Sequence, residues 1–429
     1  MHPARRSVSF RVRLSANDTA QLRLCLLQWH RFRVRYPANL IGIGTSFIEI
    51  FVGVKNNVSR LNVVLLFGGK STEHEVSVRS AKSIYDSLDK TKYNVRPVAI
   101  SKRGVWLQGP EVQRALETNT AVLDAAEKIT LLPDPNSRGL VSLAASAGNG
   151  ESQEAISVII PVLHGRYGED GTLQGLLEMA NVPYVGCGVL SSALGMDKIK
   201  QKEICCYHGI PSARFYGFHR ARWTTARDAV LSEVLNHFSN TFPVFVKPAN
   251  TGSSVGVVKV KRKDELGAAI DSALQFDSKV IVEEGLEHIR EIEVSVLGNH
   301  QAKASVCGEV IPANEFYDYA AKYEDDRSRT VIPADLPASA SEDIRALAVK
   351  TFEVLECRGL TRVDFFVSKS NPNQFWVNEV NTLPGFTSIS MYPKLWEASG
   401  VSFPQLVEQL IQLALEEWSE KQKLRTSWT

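Results

Sequence analysis

The segment Leu61-Asn62-Val63-Val64-Leu65-Leu66-Phe67 is a near-continuous apolar run that stops on Gly68-Gly69. A strand wetted on one face alternates apolar and polar residues, whereas a run this uniform belongs to a strand buried on both faces, as in a parallel sheet covered by helices. The glycine pair suits the tight loop that leaves such a strand. The pattern returns at Ile156 to Leu163, again followed by a glycine-rich loop, His164-Gly-Arg-Tyr-Gly-Glu-Asp-Gly171. Between and after these runs the spacing predicts a helix over 76–88, strands over 94–100 and 105–107, and a helix over 172–180. Alternation of strand and helix implies a doubly wound α/β sheet, which binds ligands at the carboxyl ends of its strands. Residues 109–155 read as a mobile polar surface insertion ending in Ala144-Ala-Ser-Ala-Gly-Asn-Gly-Glu-Ser152.

Charge divides the chain just before that first run. Residues 1–60 hold ten Lys and Arg against Asp18 and Glu49, while the rest holds 39 basic residues against 45 acidic ones. A net charge of +2 therefore averages a basic leader and an acidic body, and the body gives no support for nucleic-acid binding. The Arg-rich leader fits an organelle transit peptide or a stretch upstream of a later start, and is expected to be disordered or absent from the working protein. With 429 residues, 44% hydrophobic and 22% charged, the composition excludes a disordered or collagen-like chain and suits about three domains. Leu40 to Val54, 15 residues including Glu49, is too short and too polar to span a membrane. Cys25, Cys187, Cys205, Cys206, Cys307 and Cys357 form no C-x-x-C pair, so they read as reduced cytosolic thiols.

Two nucleotide-binding signatures fail on inspection. Gly69-Lys70-Ser71 resembles the end of a P-loop, but that motif needs glycine where Val64 stands, and Gly42-x-Gly44 lacks a third glycine.

The most informative constellation lies near the C-terminus. Strand-like segments 359–367 and 374–380 flank Ser-Lys-Ser-Asn-Pro-Asn, a hairpin loop. A turn centred between Asn371 and Pro372 sets Asp364 opposite Glu379 and Arg362 opposite Asn381, all on one face. Opposed carboxylates repel unless one is protonated or a cation lies between them, and Asp, Glu and Asn offer the hard oxygens that suit Mg²⁺. The alternative is an edge-strand ion pair through Arg362, with no metal. A second hairpin, Phe242-Pro-Val-Phe-Val-Lys247-Pro-Ala-Asn-Thr-Gly252-Ser253-Ser254-Val-Gly256, combines a lysine with a Gly/Ser loop and makes either an anion-binding concavity or a plain turn. His164 and Glu73-His74-Glu75 stand at carboxyl ends of predicted strands, where a Glu can hold an ammonium group; a hydrogen-bonded structural histidine is the alternative for His164. Glu315-Phe-Tyr-Asp-Tyr-Ala-Ala-Lys322-Tyr323 reads as a lid or as a packed surface loop.

Taken together, five ordered segments resemble the D-alanine–D-alanine ligase family of the ATP-grasp superfamily: 67–77, 164–175, 247–256, 317–323 and 378–388. The resemblance implies an α/β, three-domain ATP-grasp fold: after the leader at 1–60, a Rossmann-like substrate domain at 61–186, a central ATP-grasp subdomain at 187–284 and a C-terminal one, with the metal face and lid, at 285–429. It implies that Glu75 holds the first D-alanine's ammonium with Ser253 and Tyr323, with His164 alongside. By the same resemblance Lys198, Lys247, Ser254 and Lys322 contact ATP. Glu283, Glu284 and Leu286 pass the adenine, and Glu291 takes the ribose. Asp364, Glu379 and Asn381 hold two Mg²⁺ ions, for which Mn²⁺ can substitute. Arg362 and the Gly385 N–H stabilise an oxyanion, and Ser390 binds the second substrate's carboxylate. The resemblance further implies a cytoplasmic homodimer making D-alanyl-D-alanine for peptidoglycan from D-alanine and ATP through an acyl phosphate, without membrane or nucleic-acid partners. It leaves room for a monovalent cation such as K⁺. D-lactate or D-serine as second substrate is the runner-up, against which Tyr323 argues. A catalytically silent nucleotide-binding scaffold is the rival from another class, and an intact Arg362, Asp364, Glu379 and Asn381 counts against it.

Overall fold

The structure is a computed structural model and describes residues 60–120, 126–143, 155–311 and 329–428. The leader, the 144–152 tract and the proposed lid, with Lys322 and Tyr323, lie outside the described residues.

The first apolar run is β1 (Leu61–Gly68), followed by α1 (His74–Ser87), β2 (Tyr93–Ile100), β3 (Trp106–Gln108), α2 (Pro110–Thr118), β4 (Glu127–Leu131), β5 (Leu140–Ser142), β6 (Val158–Val162) and α3 (Thr172–Met179). The sheet order is β5-β4-β3-β2-β1-β6, with β1 parallel to both neighbours and the other pairings antiparallel. Period-2 alternation sends Val63, Leu65 and Phe67 into one core with Ala81 and Ile84 of α1, and Val64 and Leu66 into another with Leu173 and Leu177 of α3. Both faces of β1 are thus covered, as its sequence requires.

The reading of 109–155 as a surface insertion is corrected in the described part of that segment. Val112, Ala115 and Leu116 recur at helical spacing and bury one face of α2, while Ile129 and Leu131 recur at strand spacing and enter the core from β4. A polar average hid two periodic apolar stripes.

The second sheet, β7-β10-β8-β9, is antiparallel throughout. Its elements run α4 (Val189–Met196), α5 (Lys198–Tyr207), β7 (Phe215–His219), α6 (Arg220–Thr225), α7 (Arg227–His237), β8 (Val244–Pro248), β9 (Val258–Val260), α8 (Leu266–Ala273) and β10 (Lys279–Glu284). Val230 and Val234 of α7 and Leu266 and Ile270 of α8 pack on Val244, Val246, Val280 and Val282.

The third sheet, β13-β12-β11-β14-β15, comprises β11 (Ile289–Gly298), β12 (Lys303–Ile311), β13 (Arg329–Val331), β14 (Gly359–Ser368) and β15 (Phe375–Asn381), with α9 (Ala338–Val354) preceding β14. Ile292, Val294, Val363 and Phe365 face Ile344, Ala348 and Phe352 of α9, so the alternate residues of β11 and β14 point the other way. After α10 (Met391–Ala398), α11 (Phe403–Lys421) buries Leu406, Val407, Leu410 and Ile411 in the core shared with β1 and α1. Its start is fixed by a capping box between Ser402 and Gln405, a device worth about 1 kcal/mol. No described helix is long and apolar enough to cross a membrane.

Candidate active site

The face of the third sheet opposite α9 carries the polar row expected from the hairpin. Asp364 pairs with Glu379 and Arg362 with Asn381, as the register predicts. Nearer the turn the pairing slips to Phe365 with Val377, and a bulge between Asp364 and Phe365 restores the register at the polar residues. Across the other edge of β14, Glu293 of β11 pairs with Asp364. Glu293, Asp364 and Glu379 therefore form one row across three adjacent strands.

Arg362 neutralises much of that row. Its Nε and Nη2 each donate to Asp364 at 2.7 Å, and Nε lies 3.0 Å from a Glu293 oxygen. Asn381 Nδ2 donates to the same Asp364 carboxylate at 2.9 Å. The arginine side chain is 15% exposed and Glu293 only 7%. Burial works against the guanidinium charge, but Asp364 and then Glu293 outweigh it and hold its pKa well above the ordinary value. The ion pair of the edge-strand alternative is present, yet β14 is flanked on both sides and the pair is only 15% and 13% exposed. Asp364, Glu379 and Asn381 also fit a hard divalent cation: three oxygen-bearing side chains stand together on adjacent strands, with no thiol or imidazole among them.

The Lys247 segment is a β8–β9 hairpin, as its sequence suggests. Ser253 and Ser254 in its loop have φ of 51° and 58°, left-handed values uncommon for residues with a Cβ. Asp277 clamps the loop's start, accepting from Asn250 N at 2.7 Å and Nδ2 at 2.9 Å. Lys198 opens α5 behind the cap residue Asp197, and its Nζ reaches Thr251 O at 2.8 Å and lies 3.9 Å from Glu379. Lys247 Nζ donates to Glu283 at 2.5 Å. Burial disfavours this ammonium, but Glu283 holds its pKa above the ordinary value. Glu284 turns its carboxylate to Arg214, at 3.0 and 2.9 Å.

At the carboxyl end of β1 the structure places Glu73, rather than the expected Glu75, against Ser253. Ser253 Oγ donates to Glu73, not to Glu75. Glu73 is 7% exposed, whereas the Glu75 side chain is 55% exposed and pairs with Lys102 at 2.5 Å. Glu73 precedes the first turn of α1 and Glu75 lies within it. From the cap position outside the helix Glu73 borders the site, while Glu75, inside the first turn, is exposed. Nearby, His164 Nδ1 lies 3.2 Å from Leu383 O and 3.8 Å from Glu169, and Nε2 is buried without a hydrogen-bond partner among the described residues. Burial pushes the imidazole pKa down, but Glu169 more than compensates and the net shift is upward. Ser390 Oγ contacts Thr387 N at 3.0 Å and Thr387 Oγ1 at 2.7 Å, just before α10.

These residues border two adjoining chambers of about 420 Å³ each. Glu73, His164, Gly385, Ser390 and Asn381 border the first; Lys247, Ser254, Glu283, Glu284, Leu286, Glu291 and Asp364 border the second. Lys198, Ser253, Glu293, Arg362 and Glu379 border both, forming the wall between them. Glu75 borders neither.

Sequence reasoning missed Glu293 and Lys202, named Glu169 only as part of the loop after β6, and left Glu73 and Glu75 both open until the resemblance favoured Glu75. The period-2 spacing of Glu291 and Glu293 in an otherwise apolar strand was a usable signal for Glu293. Nothing in the sequence marks Lys202, which is 2% exposed.

Known proteins resemble this chain over most of its length. The pattern described as "D-ala D-ala ligase N-terminus" matches residues 62–187, and that described as "D-ala D-ala ligase C-terminus" matches 204–412. The chain is 46% identical over 372 residues to the D-alanine--D-alanine ligase of Natranaerobius thermophilus, covering 87% of this chain and 100% of that protein. It is 45% identical over 370 residues to that of Caldicellulosiruptor bescii, covering 86% and 99%. Among solved structures, the D-alanine-D-alanine ligase from Coxiella burnetii superposes with TM-score 0.72 at 35% identity, covering 85% of this chain and 96% of that one. The VanG D-Ala:D-Ser ligase from Enterococcus faecalis gives 0.73 at 34% identity, covering 83% and 99%.

Proposed function

Since the chain belongs to the D-alanine–D-alanine ligase family, we propose that its first chamber takes two D-alanine molecules, its second takes ATP, and the wall between them carries the chemistry. The protein is an ATP-dependent ligase that makes D-alanyl-D-alanine for peptidoglycan precursors. The observation that carries this reading is the partition itself. The substrate residues and the nucleotide residues border different chambers, and Arg362, Lys198 and Ser253 border both.

Glu73, with Ser253, holds the ammonium of the first D-alanine, and His164 lies beside that substrate. Tyr323 completes the set from the lid. The carboxylate of this D-alanine attacks the γ-phosphorus of ATP, giving an acyl phosphate and ADP. The amine of the second D-alanine, whose carboxylate Ser390 binds, then attacks the acyl carbon and expels phosphate. Arg362 and the Gly385 N–H face the negative oxygen of that tetrahedral species, held by Asp364 and Glu293 so that no reorganisation is needed as charge develops. Lys198, Lys247, Lys322 and Ser254 meet the phosphates, Glu283, Glu284 and Leu286 flank the adenine, and Glu291 takes the ribose. Asp364, Glu379 and Asn381 would hold Mg²⁺, or Mn²⁺ in its place, which would supply neutralisation of phosphate oxygens there. Neither step uses a covalent enzyme nucleophile; positioning supplies the rate.

The working enzyme is a cytoplasmic homodimer of three-domain subunits divided near residues 186 and 284, with K⁺ as a candidate activator. The test is release of ADP that requires both D-alanine and a divalent cation, with the product identified by mass. No ADP above background with D-alanine and saturating ATP refutes the reading. A product containing D-serine or D-lactate, formed in competition with D-alanine, refutes the assignment of the second substrate.

A further inference from the structure

Behind the second chamber lies a charge that the reaction above leaves unused. Lys202 stands on α5 one turn after Lys198 and is 2% exposed. Its Nζ lies 3.4 Å from Glu283 Oε1 and makes no hydrogen bond among the described residues. Glu283 is 3% exposed, and its other oxygen accepts from Lys247 at 2.5 Å. Ammonium, carboxylate and ammonium therefore stand in series, Lys202 and Glu283 buried and Lys247 15% exposed, and of the three only Glu283 and Lys247 border the chamber.

Burying an ammonium costs several kcal/mol, and an apolar side chain of similar length fills the same space without that cost. The charge at position 202 therefore calls for a compensating use. A Lys247–Glu283 pair alone is neutral, so an approaching phosphate meets a cation already satisfied. Drawing Lys247 toward the phosphate then strands a buried carboxylate. With Lys202 behind it, Glu283 keeps a counter-charge wherever Lys247 turns, and the cluster carries one positive charge to spare. Burial pushes the Glu283 carboxyl up, but Lys202 and then Lys247 outweigh it and bring its pKa to about 2, so the carboxylate stays ionised throughout.

We propose that Lys202 is a positioning residue that neutralises Glu283 from behind and so keeps Lys247 available to nucleotide phosphates. The proposal rests on the reading of the second chamber as the nucleotide site.

The test uses the full-length protein and two probes by calorimetry: ADP, and inorganic tripolyphosphate, which has phosphates but no base. Lys202→Met is expected to weaken both by about tenfold or more, the loss of one uncompensated charge at intermediate dielectric. The KM for D-alanine is expected to stay within about twofold, since Lys202 reaches nothing in the first chamber. The double variant K202M/E283Q is expected to bind tripolyphosphate within about threefold of wild type, because Glu283, the carboxylate that accepts from Lys247, no longer competes for it. A merely structural lysine predicts no such rescue. Wild-type affinity in K202M, or a folded double variant as weak as K202M toward tripolyphosphate, overturns the proposal. Should K202M not fold, E283Q alone decides: it is expected to bind tripolyphosphate at least as tightly as wild type, and weaker binding overturns the proposal. Failure of the wild type to bind ADP overturns the nucleotide reading itself, and the proposal with it.

Discussion

Replacing Glu73 and Glu75 one at a time by glutamine separates a binding carboxylate from a surface one two residues away. Glu73 is 7% exposed, accepts from Ser253 and borders the first chamber. An ammonium bound there meets a buried carboxylate, and removing one partner of such a pair costs about 2–5 kcal/mol. Taking about 3 kcal/mol at 1.36 kcal/mol per factor of ten, Glu73→Gln is expected to lower kcat/KM for D-alanine by roughly 150-fold. Glu75 pairs with Lys102 where the two side chains are 55% and 59% exposed. Such pairs contribute about 0–1 kcal/mol to stability and are screened by salt, so Glu75→Gln is expected to stay within about twofold of wild type. The assay is ADP release at varied D-alanine and saturating ATP, with near-UV circular dichroism showing that both variants are folded. A loss in the Glu75 variant equal to that in the Glu73 variant refutes the assignment of the ammonium to Glu73. So does a Glu73 variant within about fivefold of wild type, since no buried charge pair is then being broken.

Two further outcomes follow from buried charges elsewhere in the site. Arg362→Met is expected to lower kcat by about 100-fold or more while ADP affinity changes by less than about threefold, as for loss of an oxyanion donor. Glu293→Gln should lower kcat less and add little in the Arg362→Met background; a large loss of nucleotide affinity in either variant counts against the oxyanion role. For acid stability, the Glu283 pKa falls from 4.5 to about 2 in the folded protein. The folded value is the lower one, so its contribution is fully present above about pH 4.5 and disappears as pH falls toward 2. Glu283→Gln is expected to flatten denaturant-derived stability across that window, and an unchanged slope there rejects the assignment.

Much of this was readable before any coordinates. The run 61–67 required helices on both faces of β1, and it has them, because an unbroken apolar strand has no side to show to water. The facing of Asp364 with Glu379 followed from strand periodicity and a short turn, although a bulge rather than the assumed turn centre delivered it. The reading of 109–155 failed because average polarity is insensitive to a stripe such as Val112, Ala115 and Leu116. The residues alone left Glu73 and Glu75 both open, because a pattern near a strand end does not say where the following helix begins, and the resemblance favoured Glu75.

The elements and the local pairings were legible in the residues, since both depend on interactions within a few positions or across a tight hairpin. So was the family, through short segments whose chemistry is local. Which charges share a wall was settled by packing between distant segments. Ser253 meets Glu73 across 180 positions, Glu293 enters the row on a separate strand, and Lys202 reaches Glu283 through the core. A buried charge is tolerated only beside its partner, and the partner is brought by packing among distant segments, which no local pattern records.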